Sequence, residues 1–311
     1  MTSEAIDGTS VVSGPHWDWS GAWVRATAPL PAGTGGPEVV SSFLAEHGGV
    51  TVAWEPILDI RRSPAGLHAV ESLVKGPSGT PHEDPAHFSE FFRCRGHLAT
   101  LDSFCLEAAL SEAALLPFSG SIVVNVEALT VAAAGFESRL LGLVRRSGLD
   151  PSRLILDVRI GYEEAPIGRL ASGVVQTRSA GIRVSFDEVR ASASPVRLLE
   201  VATPDFVKLS RNTVRNLWRD PWTRQCVEGA LRLGGELGFQ VVAQGVASDR
   251  DLEAAKSCGI GLFQGPLLGP AQTAGELAAP GGLFDGESES AGPAPASAKD
   301  RGAPEAEGAG R

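Results

Sequence analysis

Cysteine is scarce in this chain of 311 residues: there are four, Cys94, Cys105, Cys226 and Cys258, and no two form a Cys-x-x-Cys pair. That spacing disfavours a zinc ribbon or a disulfide frame and suits reduced packing side chains. No stretch approaches the roughly 20 apolar residues that a membrane-spanning helix needs. The opening Met1-Thr2-Ser3-Glu4-Ala5 lacks the basic patch and apolar core of a secretory signal, so a cytoplasmic protein without membrane attachment is expected. Basic residues are outnumbered, 27 against 37 acidic ones for a net charge of −10, and they are scattered. A DNA or RNA partner is therefore disfavoured, although a small phosphate ligand is not. The six histidines make no His-Glu-x-x-His motif, and no glycine-rich phosphate loop ending in Lys-Ser/Thr occurs.

What is present is a long alternation. Short apolar runs rich in β-formers occur at Val50 to Ile60, Leu67 to Val74, Ser121 to Val126, Leu154 to Val158, Arg183 to Phe186, Phe206 to Leu209, Phe239 to Ala243 and Gly261 to Phe263. Amphipathic segments lie between them, over about 85–92, 98–116, 129–147, 163–180, 195–202, 212–237 and 249–257. Repeated βα units of this kind build a parallel sheet, and eight strands in this length match a (β/α)₈ TIM barrel. Only Arg61 to Gly66 separate the first two strands, which allows a hairpin and no parallel crossover. The expected fold is thus α/β, a modified TIM barrel with one antiparallel strand, over residues 49–284. Residues 1–48, rich in Gly, Ser, Thr and Pro, read as an irregular arm, with Trp17, Trp19 and Trp23 either packing on the barrel or docking a partner. Residues 285–311 hold only Ala, Gly, Pro, Ser and charged types, and read as a disordered tail. Neither flank has the length and apolar content expected of a further folded domain.

The chemistry of such a barrel sits where its strands end. Polar residues close these apolar strands repeatedly: Glu71, Asn125, Asp157, Asp187 with Glu188, Lys208, Gln244 and Gln264. Singly, each has an ordinary explanation as a turn residue, a helix cap, an exposed strand side chain or a satisfied core amide. Converging at one mouth, four acids and an amide oxygen would make a hard-oxygen cage for Mg²⁺, Mn²⁺ or Ca²⁺, with a lysine to face phosphate.

The same segments, in the same order, resemble the Glu-Ala-Leu (EAL) family of cyclic di-GMP phosphodiesterases. The resemblance runs through Trp54-Glu55-Pro56-Ile57, Val70-Glu71-Ser72-Leu73-Val74-Lys75, Val124-Asn125-Val126, Ile155-Leu156-Asp157-Val158 and Phe186-Asp187-Glu188. It continues through Phe206-Val207-Lys208-Leu209, Val242-Ala243-Gln244-Gly245-Val246 and Gln264-Gly265-Pro266-Leu267. It implies two divalent metals, Mg²⁺ or Mn²⁺, at the positions of Glu71, Asn125, Asp157, Asp187 and Glu188. It also implies Lys208 beside the nucleophile, and ligand contacts from Glu55, Lys75 and Gln264. A homodimer is a further expectation from resemblance.

Several positions depart from that pattern. The family's general-base glutamate falls at Gln244, its loop-bracing acid falls at Ile160, and Glu188-Val189-Arg190-Ala191-Ser192 lacks the usual glycines. Glu55 and Lys75 replace a glutamine and an arginine that face the anion. Two readings follow: a degenerate domain serving as a cyclic di-GMP receptor or as a module for an unidentified protein partner, or an active phosphodiesterase that yields the linear dinucleotide.

Overall fold

The structure is a computed structural model describing residues 36–62, 64–160, 165–189, 199 and 202–279, and the backbone of 11–12. The Trp-bearing part of the arm, the 285–311 tail, and most of the glycine-free loop and the 195–202 segment lie outside the described residues.

Eight strands close into one barrel: β1 (Val50–Asp59), β2 (Gly66–Lys75), β3 (Ser121–Glu127), β4 (Leu154–Arg159), β5 (Arg183–Val189), β6 (Phe206–Leu209), β7 (Gln240–Ala243) and β8 (Leu262–Gln264). From β2 to β8 every neighbouring pair is parallel. β1 runs antiparallel to its two barrel neighbours, β2 and β8, and so closes the circle as the short first connection requires, while the two-residue strand Val11–Val12 of the arm pairs antiparallel with its start. The hairpin register sets Glu55 opposite Glu71.

Helices wrap this barrel: α1 (Gly36–His47), α2 (Pro85–Arg93), α3 (Leu98–Ala113), α4 (Ala128–Val131), α5 (Phe136–Ser147), α6 (Ile167–Ser179), α7 (Arg211–Asn216), α8 (Pro221–Leu237), α9 (Asp249–Cys258) and α10 (Ala274–Ala278). Two helices expected as single runs are divided. Over 129–147 the break is Gly135, at φ 72°. Over 212–237 it is Asp220, whose carboxylate accepts from Trp222 N and Thr223 N, with Pro221 starting α8. The arm read as irregular over 1–48 contains α1, which buries Val40 and Leu44. Its glycine-rich approach hides a helix that begins at Gly36-Pro37-Glu38, where proline and an acid both suit a first turn. All four cysteines are free, but Cys94 is exposed at the end of α2 and bonds Glu90, so it is not a packing residue.

Side chains along a strand alternate between two faces, and here the inward positions form layers. An apolar floor comes from Ile57, Ala69, Val123, Ile155, Phe206, Val242 and Leu262. Two residues further toward the mouth on the same strands stand Glu55, Glu71, Asn125, Asp157, Lys208, Gln244 and Gln264. These polar strand-end residues follow by the same step of two, and the next step brings Glu127, Arg159 and, on β5, Asp187. Outside the barrel, Leu101, Phe104 and Leu110 of α3 pack with Ile122, Leu154 and Leu140 in the main core.

One buried carboxylate fastens this outer layer to the mouth. Asp102 of α3 accepts from Glu127 N at 3.0 Å and from the Thr130 hydroxyl, capping α4, whose own N-cap Glu127 makes no side-chain capping bond. Burial is the main reason its pKa is raised to about 7, with Glu127 adding to that and Thr130, the Glu127 amide and Arg159 opposing it. A raised folded-state pKa means that the folded protein keeps a proton the unfolded chain has released. Stability from this group is therefore fully present below the ordinary value of 3.8 and is lost as pH rises to about 7. Asp102→Asn, which cannot ionise, should lose that dependence. Denaturant midpoints at pH 5 and pH 8 should show wild type gaining on the variant at the lower pH. An unchanged difference would dismiss the assignment.

Candidate functional site

Lys208 is the hub of the inner polar layer. Its Nζ donates to Glu71 Oε2 at 2.6 Å and to Asp157 Oδ2 at 2.7 Å, and the three residues are 1%, 2% and 0% exposed. Burial disfavours the ammonium, but Asp157, Glu71 and Asp187 more than offset it and hold its proton far above the ordinary lysine range. At Glu71 burial opposes ionisation, yet Lys208 with the Asn125 and Gln264 amides brings the pKa below its usual value. At Asp157 burial prevails and, with Glu71, pushes the pKa up against Lys208.

Amides complete the network. Asn125 Nδ2 donates to Glu71 Oε1 and to the Ser72 carbonyl, both at 3.0 Å. Gln264 Nε2 donates to Glu71 Oε2 at 2.6 Å and to Glu55 Oε2 at 2.7 Å. One amide group thus bridges two carboxylates that the hairpin register sets opposite each other, an arrangement that is repulsive if unbridged. Burial, then Glu71, raises the pKa of Glu55. Gln264 is held in place by Gly265: at φ 146° a Cβ there would lie 2.3 Å from Val246 N. Only glycine permits that approach, by which Val246 N reaches the Gln264 carbonyl at 3.0 Å.

Asp187 is 3% exposed, and burial, followed by Asp157, pushes its pKa up to about 7. Its Oδ1 has no hydrogen-bond partner among the described residues. Gln244 takes its inward place at the end of β7, half-buried, with no side-chain hydrogen bond to the described residues.

The structure therefore gathers Glu55, Glu71, Asn125, Asp157, Asp187, Lys208, Gln244 and Gln264 at one mouth. Two sequence candidates stand apart. Glu188 is exposed and has φ 60°, the one positive φ among described non-glycine residues; the β5–β6 register shifts at that point. Lys75 shares the face of Glu71 but stands four residues along the hairpin, about 13 Å at strand rise. Sequence reasoning missed Glu127 and Arg159, whose inward step of two from Asn125 and Asp157 was the available signal.

The donor set can be tested against a divalent cation. Glu71, Asn125, Asp157 and Asp187 offer the hard oxygens that Mg²⁺, Mn²⁺ or Ca²⁺ prefer, and the orphaned Asp187 Oδ1 fits such a role. Among the described residues, however, no three His, Cys, Asp or Glu side chains stand ready as a ligand set. Lys208 already joins two of the carboxylates, and Glu188 lies outside the cluster. The residues suit one cation in exchange for these contacts; they do not suit a second at Asp187 and Glu188.

Comparison with known proteins bears on the family and the fold. The family model described as the EAL domain matches residues 40–271. The chain is 27% identical over 157 residues to the cyclic di-GMP phosphodiesterase PdeL of Escherichia coli strain K12, covering 50% of this chain and 43% of that protein. It is 26% identical over 138 residues to the blue light- and temperature-regulated antirepressor BluF of the same strain, covering 44% and 34%. The chain thus spans less than half the length of these relatives. Among solved structures, the calcium and cyclic di-GMP complex of Klebsiella pneumoniae BlrP1 superposes with a TM-score of 0.65 at 21% identity, over 72% of this chain and 56% of that one. At that identity the likeness shows the fold alone. No helix among the described residues is long and apolar enough to cross a membrane.

Proposed function

The chain belongs to the EAL domain family, and from that premise we propose that it binds cyclic di-GMP as a receptor or protein-interaction module in bacterial second-messenger signalling, with little or no hydrolysis of its own. The relatives do not choose between catalysis and binding, because one named for hydrolysis and one named for antirepression match equally well. The site supports a choice. The observation that carries it is Gln244, two residues beyond Val242 of the apolar floor, where the resemblance places a proton acceptor. A carboxamide has no basic site for water's proton, and losing a general base typically costs about 10²–10⁴ in rate.

Binding needs less. A divalent cation held by Glu71, Asn125, Asp157 and Asp187 would polarise a phosphoryl oxygen. The protein's own side chains do the rest. Lys208 supplies a buried positive charge beneath the ligand's phosphodiester, Gln264 fixes Glu55 and Glu71, and Gln244 offers an amide donor to an anion where a carboxylate would repel it. The mouth has a preorganised network and an apolar floor, as small-ligand sites require.

Calorimetry with cyclic di-GMP, followed by chromatography of the same sample with and without Mn²⁺, tests the proposal. The expected result is saturable binding with no linear dinucleotide. Product formed at ordinary turnover and abolished by Glu71→Ala would establish the second reading, an active phosphodiesterase. That reading is favoured by the gathered Glu71, Asn125, Asp157, Asp187, Lys208 and Gln264. Neither heat nor product from a folded sample would leave only the protein-interaction role.

A further inference from the structure

Two acids rise above the inner layer, Glu127 and Asp187, in a mouth that must admit an anion. Arg159 stands between them. It is two residues beyond Asp157 on the inward face of β4, and the strand registers pair it with Glu127 on one side and Asp187 on the other. Neighbouring strands are only about 4.8 Å apart, so the guanidinium is set between the acids of β3 and β5. Its Nη1 donates to Glu127 Oε1 at 3.2 Å, and its Nε is buried without a partner among the described residues. The side chain as a whole is 40% exposed, so the outer end of the fork reaches the mouth. Burial disfavours its charge, but Glu127, then Asp187, Glu188 and Asp157, hold it.

We propose that Arg159 takes the place of the second divalent cation: its guanidinium neutralises the Asp187 side of the mouth and contacts a phosphate of the bound cyclic dinucleotide. A planar fork of five donors with one hydrogen bond to Glu127 and an open outer end is suited to a phosphate oxygen. A dication beside it would meet like charge at close range. The inference rests on the cyclic di-GMP reading for its ligand, and on strand geometry alone for its charge.

Two measurements on the full chain separate those dependencies. In calorimetry with cyclic di-GMP in excess chelator, wild type should bind, and Arg159→Gln should bind about tenfold or more weakly, the value of one charge-assisted hydrogen bond. Mn²⁺ should then restore most of the loss in the variant. Glu127→Gln, which releases the arginine from its partner, should bind at least as tightly as wild type. Equal affinity of wild type and Arg159→Gln in chelator would overturn the proposal. The second measurement uses Mn²⁺ alone: Arg159→Gln should take up one more equivalent than wild type, or bind Mn²⁺ about tenfold more tightly. Unchanged Mn²⁺ uptake would overturn the charge substitution. If wild type binds no cyclic di-GMP in either condition, the ligand reading fails, and the Mn²⁺ comparison still decides the role of Arg159. Circular dichroism melting checks that each variant is folded.

Discussion

Replacing Lys208 with methionine should destabilise the folded protein by about 3–5 kcal/mol, the usual consequence of removing one partner of a buried ion pair. The Nζ is bonded to Glu71 and Asp157 at 2.6 and 2.7 Å, and none of the three residues is more than 2% exposed. Without the ammonium, two carboxylates face each other in the barrel interior, and at least one must take up a proton to remain. A denaturant titration at pH 8 should show the loss, and it should shrink as pH falls and protonation becomes easier. The triple variant Lys208→Met, Glu71→Gln, Asp157→Asn should recover much of the stability, because the stranded charges are then gone. A single variant within about 1 kcal/mol of wild type would show that the ammonium is not the hub. The same result bears on cation binding. Lys208 competes for the oxygens a cation would use, so the single variant should gain stability from added Mn²⁺ where wild type gains little.

Much of this arrangement is legible in the sequence because strands repeat every two residues. Leu154-Ile155-Leu156-Asp157 shows an apolar strand broken by one polar side chain, and period two carries that side chain from the floor to the mouth. The antiparallel first strand is legible from a connection too short for a crossover. Other features depend on partners distant in sequence. Nothing near Asp102 shows that it caps a helix after β3, 25 residues away. Arg159 reads locally as an exposed strand-end arginine, and its meaning appears only when β3 and β5 bring Glu127 and Asp187 beside it. Glu188 illustrates the reverse case. Sequence adjacency to Asp187 suggests a shared role, yet successive strand residues point to opposite faces, and the positive φ turns Glu188 outward.

Gln244, which departs from the resemblance, and Arg159 should act together in catalysis. Gln244→Glu alone should change the rate of cyclic di-GMP opening by less than about tenfold, since a base contributes only when the water it serves is already polarised. Arg159→Gln alone should also yield little product, because cation uptake would then be restored without a proton acceptor. Combined, and assayed with Mn²⁺, the substitutions should raise turnover by about 10²–10⁴ over either single variant, the range that a positioned general base supplies. Such non-additivity is the mark of groups acting on one step. Quantifying the linear dinucleotide by chromatography checks it. Full recovery by Gln244→Glu alone would mean that Arg159 does not obstruct a second cation. No recovery in the double variant, with Mn²⁺ uptake restored, would show that Gln244 and Arg159 do not account for the missing catalysis.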